Sequence, residues 1–373
     1  MHMQKYPCAY LRGGTSKALV FHKKDLPEDE SRWEEIFLRA MGAPDPKQID
    51  GMGGATSSTS KIAVVAPSSR ADADVDYTFF QVGVGQASVS QNVNCGNISS
   101  CIGPFAIEEG LVAPVSPETT VRIYNTNTKK IIHARVPILD GQPAVYGDAS
   151  IPGVPGKGAP IEMRFFRPGG AVTGRLFPSG QPQNRFALPD GREIWGTLID
   201  AGTAAVFVRA EDFGCSGAEG MALGENRALL QQLECVRGQA AVLCHLAKRW
   251  QDAQVCSPAA PDIVLLSPPK SYEGLGGEQI LAEEMSLCAR CFCLGMLHRA
   301  FPVTTAIALG AAAFSPGTIA HELLGQPDSE QTLRIGHMSG VFSVGIEMEG
   351  AEPLCASLIR TARRIMDGQV YIP

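Results

Sequence analysis

The two longest uncharged stretches of the chain carry a helical period. From Tyr77 to Ile107 there is no Asp, Glu, Lys, Arg or His, and from Ala300 to Ala320 there is none either. Inside the first stretch, Ile98, Cys101, Ile102, Phe105 and Ala106 recur at i, i+3, i+4, i+7 and i+8, which predicts a helix. The face opposite is Ser99, Ser100 and Gly103, small rather than charged, and a helix without a charged face is a buried one. Thr304 to Phe314 reads the same way, through Ala306, Ala308 and Gly310 to Ala313. Elsewhere short runs with partial alternation predict strands at 121–124, 131–136, 143–146 and 161–165, separated by Gly, Pro, Asn and Asp.

The pattern repeats over a long range. Gly14, Thr15 and Ser16 lead into an apolar run to Phe21; Gly202, Thr203 and Ala204 lead into another to Val208. A helical segment follows each, 31–41 and 226–246, and then a strand with a proline at its end, Ile62 to Pro67 and Ile263 to Pro268. Each half therefore reads as short strands wrapped around one buried helix, an α+β protein of two pseudo-symmetric domains. Pro178 to Arg192 breaks the pattern, so the expected domains are 1–185 and 186–373, with the last strand, 369–372, a candidate to return to the first half.

At 373 residues the chain suits two domains of the usual ~100–200 residues. A net charge of -6 argues against a nucleic-acid partner, which wants a basic face. No run reaches the ~18 apolar residues of a membrane helix, so no membrane span is expected. Eleven scattered cysteines, and an N-terminus without an apolar signal core, point to free thiols and a cytoplasmic home.

Four clusters carry candidate chemistry. Asn94, Cys95, Gly96 and Asn97 open the first buried helix. A thiol in a first helical turn sits where unpaired N–H groups and the macrodipole favour negative charge. The two Asn side chains can cap the helix or bind substrate, and glycine admits a ligand close to the backbone. A buried structural cysteine beside an ordinary cap is the competing reading. Asp50 to Lys61 sets three glycines and a hydroxyl run, Ser60 included, ahead of a strand. Such a loop offers donors to an anion, and a lysine in a dry site can act as a base. The alternative is a solvated surface lysine. Arg12, Gly13, Gly14, Thr15 and Ser16 suit a carboxylate clamp, against a plain tight turn. His337, between Gly336 and Gly340, suits the same role, against a turn with a satisfied histidine. Cys288, Cys291 and Cys293 lack a second C-x-x-C pair and read as core thiols, so no metal site is expected. Val82 to Gln86 is not a dinucleotide fingerprint, and there is no G-x-S-x-G elbow.

At 12–17, 50–61 and 94–97 the sequence resembles the PrpF family, with further matches at Pro316 to Thr318, Arg334 to His337 and Arg360 to Gly368. That family includes isomerases of 2-methylaconitate and 3-methylitaconate and a tautomerase of 4-oxalomesaconate. The resemblance implies a diaminopimelate epimerase-like fold, no cofactor, and Lys61 and Cys95 as the catalytic amine and thiol. Such epimerases carry a thiol at each central helix, whereas the second helix here opens Phe301, Pro302, Val303, Thr304, Thr305. One thiol and one amine suit an allylic 1,3-proton shift. Candidate substrate contacts are Arg12, Thr15, Ser16, Ser60, Asn94, Gly96, Asn97, Thr304, Thr305 and His337. The Asp50 to Lys61 run is most similar to the methylaconitate branch of propionate (methylcitrate) catabolism. The expected partner is a small di- or tricarboxylate. A homodimer and a functional link to an aconitase-like dehydratase complete the expected partners. A non-catalytic accessory role beside such a dehydratase is the rival from another class.

Overall fold

The computed structural model describes residues 3–91, 94–325 and 331–373. They form two compact units, Met1–Arg164 with Ile359–Pro373, and Phe165–Leu358.

In the first unit the hairpin Gln4–Gly13 and Ser16–His22 closes at the pair Gly13↔Ser16. Ser16–His22 lies parallel to Lys61–Pro67, with Leu19 beside Ile62, and Lys61–Pro67 lies antiparallel to Val75–Val82, with Ile62 beside Phe80. Glu118–Asn125 and Lys130–Leu139 extend the sheet. Side chains alternate across it. Tyr6, Cys8, Tyr10, Leu19, Phe21, Ile62, Val64, Phe80 and Val82 cover the amphipathic helix Trp33–Met41 on one face. The other face holds the helix Gly96–Glu108, buried from Gly96 through Ile107, as its uncharged sequence requires.

The second unit repeats the plan. Ala204–Arg209 lies parallel to Asp262–Ser267, with Val206 beside Ile263, and Asp262–Ser267 lies antiparallel to Leu287–Cys293, with Ile263 beside Phe292. Leu287–Cys293 continues to Thr332–His337 and Gly340–Glu349. The helix Val303–Ala313 is buried at every residue. Arg227–Leu243, capped by the Asn226 side chain accepting from the Leu229 N–H at 3.1 Å, packs on the outer face.

Three expectations shift. The units divide between Arg164 and Phe165 rather than at 185/186. Pro178 to Arg192, the run that reads as a linker, is tied into the second unit: its strand Asn184–Ala187 pairs antiparallel with Glu193–Asp200, and the Pro182 carbonyl accepts from Thr197 Oγ1 at 2.8 Å. The C-terminal strand is longer than the sequence suggests, Ala362–Ile372, and pairs antiparallel with Gln4–Gly13 in the first unit from Gln4↔Ile372 to Gly13↔Ala362. The strand expected over 143–146 shrinks to Gln142–Pro143, with Tyr146 exposed. Among the described residues no helix is long and apolar enough to cross a membrane.

Candidate active site

The hairpin turn at Gly14 and Thr15 is built against the first turn of the central helix. Gly14 has φ +50°, and a Cβ there would lie 2.1 Å from Asn97 Oδ1; one at Gly13 would lie 2.4 Å from the Asn97 carbonyl oxygen. Only glycine permits both the left-handed turn and this approach. The buried Asn97 side chain donates from Nδ2 to Thr15 Oγ1 at 3.1 Å, and its Oδ1 accepts from the Thr15 N–H at 3.5 Å. Ser16, also buried, places its Oγ 4.0 Å from Cys95 Sγ. Thr15, Ser16, Cys95 and Asn97 thus form one cluster.

Cys95 is the N-cap residue of Gly96–Glu108, half-buried and extended at φ −124° and ψ 97°. Its carbonyl accepts from the Ser99 N–H at 3.0 Å and from Ser99 Oγ at 3.1 Å, while its side chain makes no capping bond. The sulfur sits at the positive end of a helix with no acid in its first turn. Six residues on, burial pushes the Cys101 thiol far above the ordinary range, with Cys95 a lesser cause.

Lys61 opens the strand adjoining Ser16–His22 and is buried. Its Nζ donates to Gln81 Oε1 at 2.6 Å and lies 5.0 Å from the Phe79 ring centre. Ser60 before it is fully buried and accepts from Gln48 Nε2 at 2.7 Å; Gln48 Oε1 in turn accepts from the Ala55 N–H. The hydroxyl-rich loop is thereby braced from within. With Leu19 beside Ile62, Lys61 is level with Ala18, two residues along the neighbouring strand from Ser16.

Other expected residues are placed differently. Arg12 Nη1 donates to the Gly14 and Thr361 carbonyls at 3.0 and 2.9 Å and to Thr361 Oγ1 at 3.1 Å, stitching the hairpin to the C-terminal strand. Burial, then the Arg363 charge, lowers its pKa. Asn94 Oδ1 accepts from Asn125 Nδ2 at 2.8 Å. In the second unit Thr304 and Thr305 lie in the first turn of Val303–Ala313, and Thr305 Oγ1 donates to Asp262 Oδ2 at 2.5 Å. His337 ends its strand, buried, with Nδ1 accepting from the Ser339 N–H at 3.2 Å.

Sequence reasoning misses Gln81, Gln48 and Arg360. The first two matter through register and loop closure, which no spacing rule encodes. Arg360 is buried beside Gly14, whose Cβ would lie 3.2 Å from Arg360 Cδ, and burial pushes its guanidinium down to about 9.

Each unit wraps a mixed sheet around one buried helix, the plan of the epimerase-like fold, and in the first unit that helix opens on a thiol. It belongs to the PrpF family: the family model described as PrpF protein matches residues 3–373. Three relatives match along almost all of their length and of this chain. The 3-methylitaconate isomerase of Eubacterium barkeri is 40% identical, covering 99% of this chain and 97% of its own. The 2-methyl-aconitate isomerase of Shewanella oneidensis is 37% identical, with the same coverage. The 4-oxalomesaconate tautomerase of Pseudomonas putida is 38% identical, covering 100% and 97%. A crystal structure of methylitaconate-delta-isomerase superposes at TM-score 0.84, with 40% identity over 100% of this chain and 96% of that one. A hydroxyproline epimerase of Agrobacterium vitis, 15% identical over 98% and 92%, shares the fold at TM-score 0.57.

Proposed function

We propose that the chain catalyses a 1,3-proton shift across the allylic unit of a small unsaturated di- or tricarboxylate, with 2-methylaconitate the leading acid. One of Lys61 and Cys95 takes a proton from the carbon next to the double bond. The electron pair spreads through the double bond into a carboxylate as a dienolate. A proton is then returned at the far allylic carbon, by the partner group or by the same one, so that proton count and charge balance. Lys61 as base and Cys95 as acid is the preferred order. Negative charge gathers on the carboxylate in this step, and a helix N-terminus stabilises such charge in a water-poor site.

The observation that carries the reading is that one unit holds both a thiol at an acid-free helix start and a buried amine whose hydrogen-bond partner is a neutral amide. Thr15, Ser16 and Asn97, gathered around that helix start, are the nearest candidates to hold a carboxylate. Identities of 37–40% to isomerases of three different acids support the reaction class and leave the acid to experiment. The free cysteines fit a cytoplasmic site of action.

The test is incubation of the pure protein with 2-methylaconitate, 3-methylitaconate and 4-oxalomesaconate in deuterated water. Deuterium entering allylic carbons of one acid, followed by NMR, marks the substrate. No exchange into any unsaturated polycarboxylate would sink the proposal and favour the accessory role.

A further inference from the structure

Gln81 stands directly across the strand pair from Lys61. It is buried, and its amide can face only one way. Nε2 donates to the carbonyls of Ser60, Ser57 and Val82 at 3.0, 3.1 and 3.2 Å, and Oε1 accepts from Lys61 Nζ at 2.6 Å. A flipped amide would set its NH2 against an ammonium and its oxygen against three carbonyl oxygens. Phe79, two residues earlier on the same face, supplies the ring beside Nζ. These groups are all uncharged, and among the described residues no carboxylate lies within ion-pair distance of Lys61.

We propose that Gln81 is the positioning residue for Lys61, holding the amine in place with a neutral acceptor so that it can exchange a proton without breaking an ion pair. This rests on the reading of Lys61 as a proton-handling group. A carboxylate at the same distance would hold the lysine in its charged form, because an opposite charge within ~4–6 Å favours ionisation by about one to three pH units. A neutral carbonyl directs the nitrogen with a far smaller bias. The bonds from Nε2 to Ser57 and Ser60 do a second job: they tie the 57–60 loop to the strand edge, so the amine and the loop's hydroxyls keep a common geometry.

The test compares Gln81→Glu and Gln81→Met with the parent in two assays. The first is the rate at which acetic anhydride acetylates Lys61 at pH 7, read by peptide mass spectrometry, which does not depend on activity. The second is kcat/KM against pH. Gln81→Glu is expected to slow Lys61 acetylation at least ~10-fold and to lower kcat/KM at pH 7, with recovery as the pH is raised by about one to three units. Gln81→Met is expected to lower kcat while KM stays within about threefold, since the residue aims a reacting group and does not bind substrate. Unchanged acetylation in Gln81→Glu overturns the inference, whatever activity does. If acetylation slows while Lys61→Ala keeps parental kcat/KM, the role of Gln81 stands and the catalytic reading of Lys61 falls. A loss in both variants with an unmoved pH profile assigns Gln81 to folding alone and also overturns the inference.

Discussion

Lys61 and Asp262 occupy matching places in the two units. Each is the buried first residue of a strand that runs parallel to one neighbour and antiparallel to the next, with Ile62 beside Phe80 in one unit and Ile263 beside Phe292 in the other. Their bonding differs. The amine meets a neutral amide on the next strand, whereas the carboxylate accepts from Thr305 in the first turn of its own central helix, where the macrodipole favours negative charge. The N-cap positions differ too: Cys95 in the first unit and Pro302 in the second. Beside Asp262, burial and then that carboxylate push the Cys291 thiol far up, a core group kept protonated. One frame built twice thus carries the proposed proton-exchanging pair, Lys61 and Cys95, in a single unit. The second unit's matching acid is bonded to its own helix. A doubled frame does not require doubled chemistry, and a single thiol with an amine suits moving a proton along a carbon chain.

Substitutions at matched positions should separate the halves most sharply in turnover. Cys95→Ser and Lys61→Ala are each expected to cut kcat at least ~100-fold, the usual reach of a lost acid or base. Asp262→Ala should fall well short of that, showing instead a stability loss of about 1–3 kcal/mol from the orphaned Thr305 hydroxyl. Steady-state kinetics beside urea titration would check this, and parental kcat in both first-unit variants would break the contrast.

The two hairpin glycines come next. Gly14→Ala combines a left-handed φ with a Cβ only 2.1 Å from Asn97 Oδ1, so it should displace Asn97 from Thr15 and cost about 2–3 kcal/mol. Gly202→Ala has φ +75° but meets nothing nearer than the Thr304 carbonyl oxygen at 3.5 Å, leaving the conformational cost of about 1–2 kcal/mol. Chemical denaturation would rank them, and an equal cost would show that Asn97 yields freely.

The smallest difference lies deep in the central helices. A Cβ at Gly103 would lie 2.8 Å from the rigid Ala134 Cβ, and one at Gly310 would lie 2.7 Å from Ile346 Cγ1, which can rotate away. Overpacking costs about 1–3 kcal/mol, against a helical gain near ~1 kcal/mol for replacing glycine. Gly103→Ala should therefore lower the thermal midpoint, and Gly310→Ala should leave it nearly unchanged.

Much of this was legible in the chain. Both buried helices follow from uncharged runs with a 3.6-residue period, and the strands read from Ile62 and Ile263 to Pro67 and Pro268 begin one residue earlier, at Lys61 and Asp262. The candidate thiol and amine stand out because a first helical turn and a glycine-rich loop are local features. Arg12 was read as a clamp from its glycine neighbours, yet its Nη1 bonds to Thr361, 349 residues away. The division expected at 185/186 falls elsewhere because a Pro- and Gly-rich run looks the same in a linker as in a segment that pairs with the strand after it.

Local order, then, belonged to the sequence: which segments are helix or strand, which are buried, and which side chains have chemistry to offer. These follow from periodicity and from the rules of helix ends, which act over a few residues. The tertiary structure decided partnership. Strand register set Gln81 against Lys61, a glycine turn brought Thr15 onto Asn97, and the end of the strand Glu352–Arg360 came to lie beside Gly14. Hydrogen bonds and close packing need atoms within about 3–4 Å, and chain folding brings together residues whose separation in sequence carries no sign of the meeting.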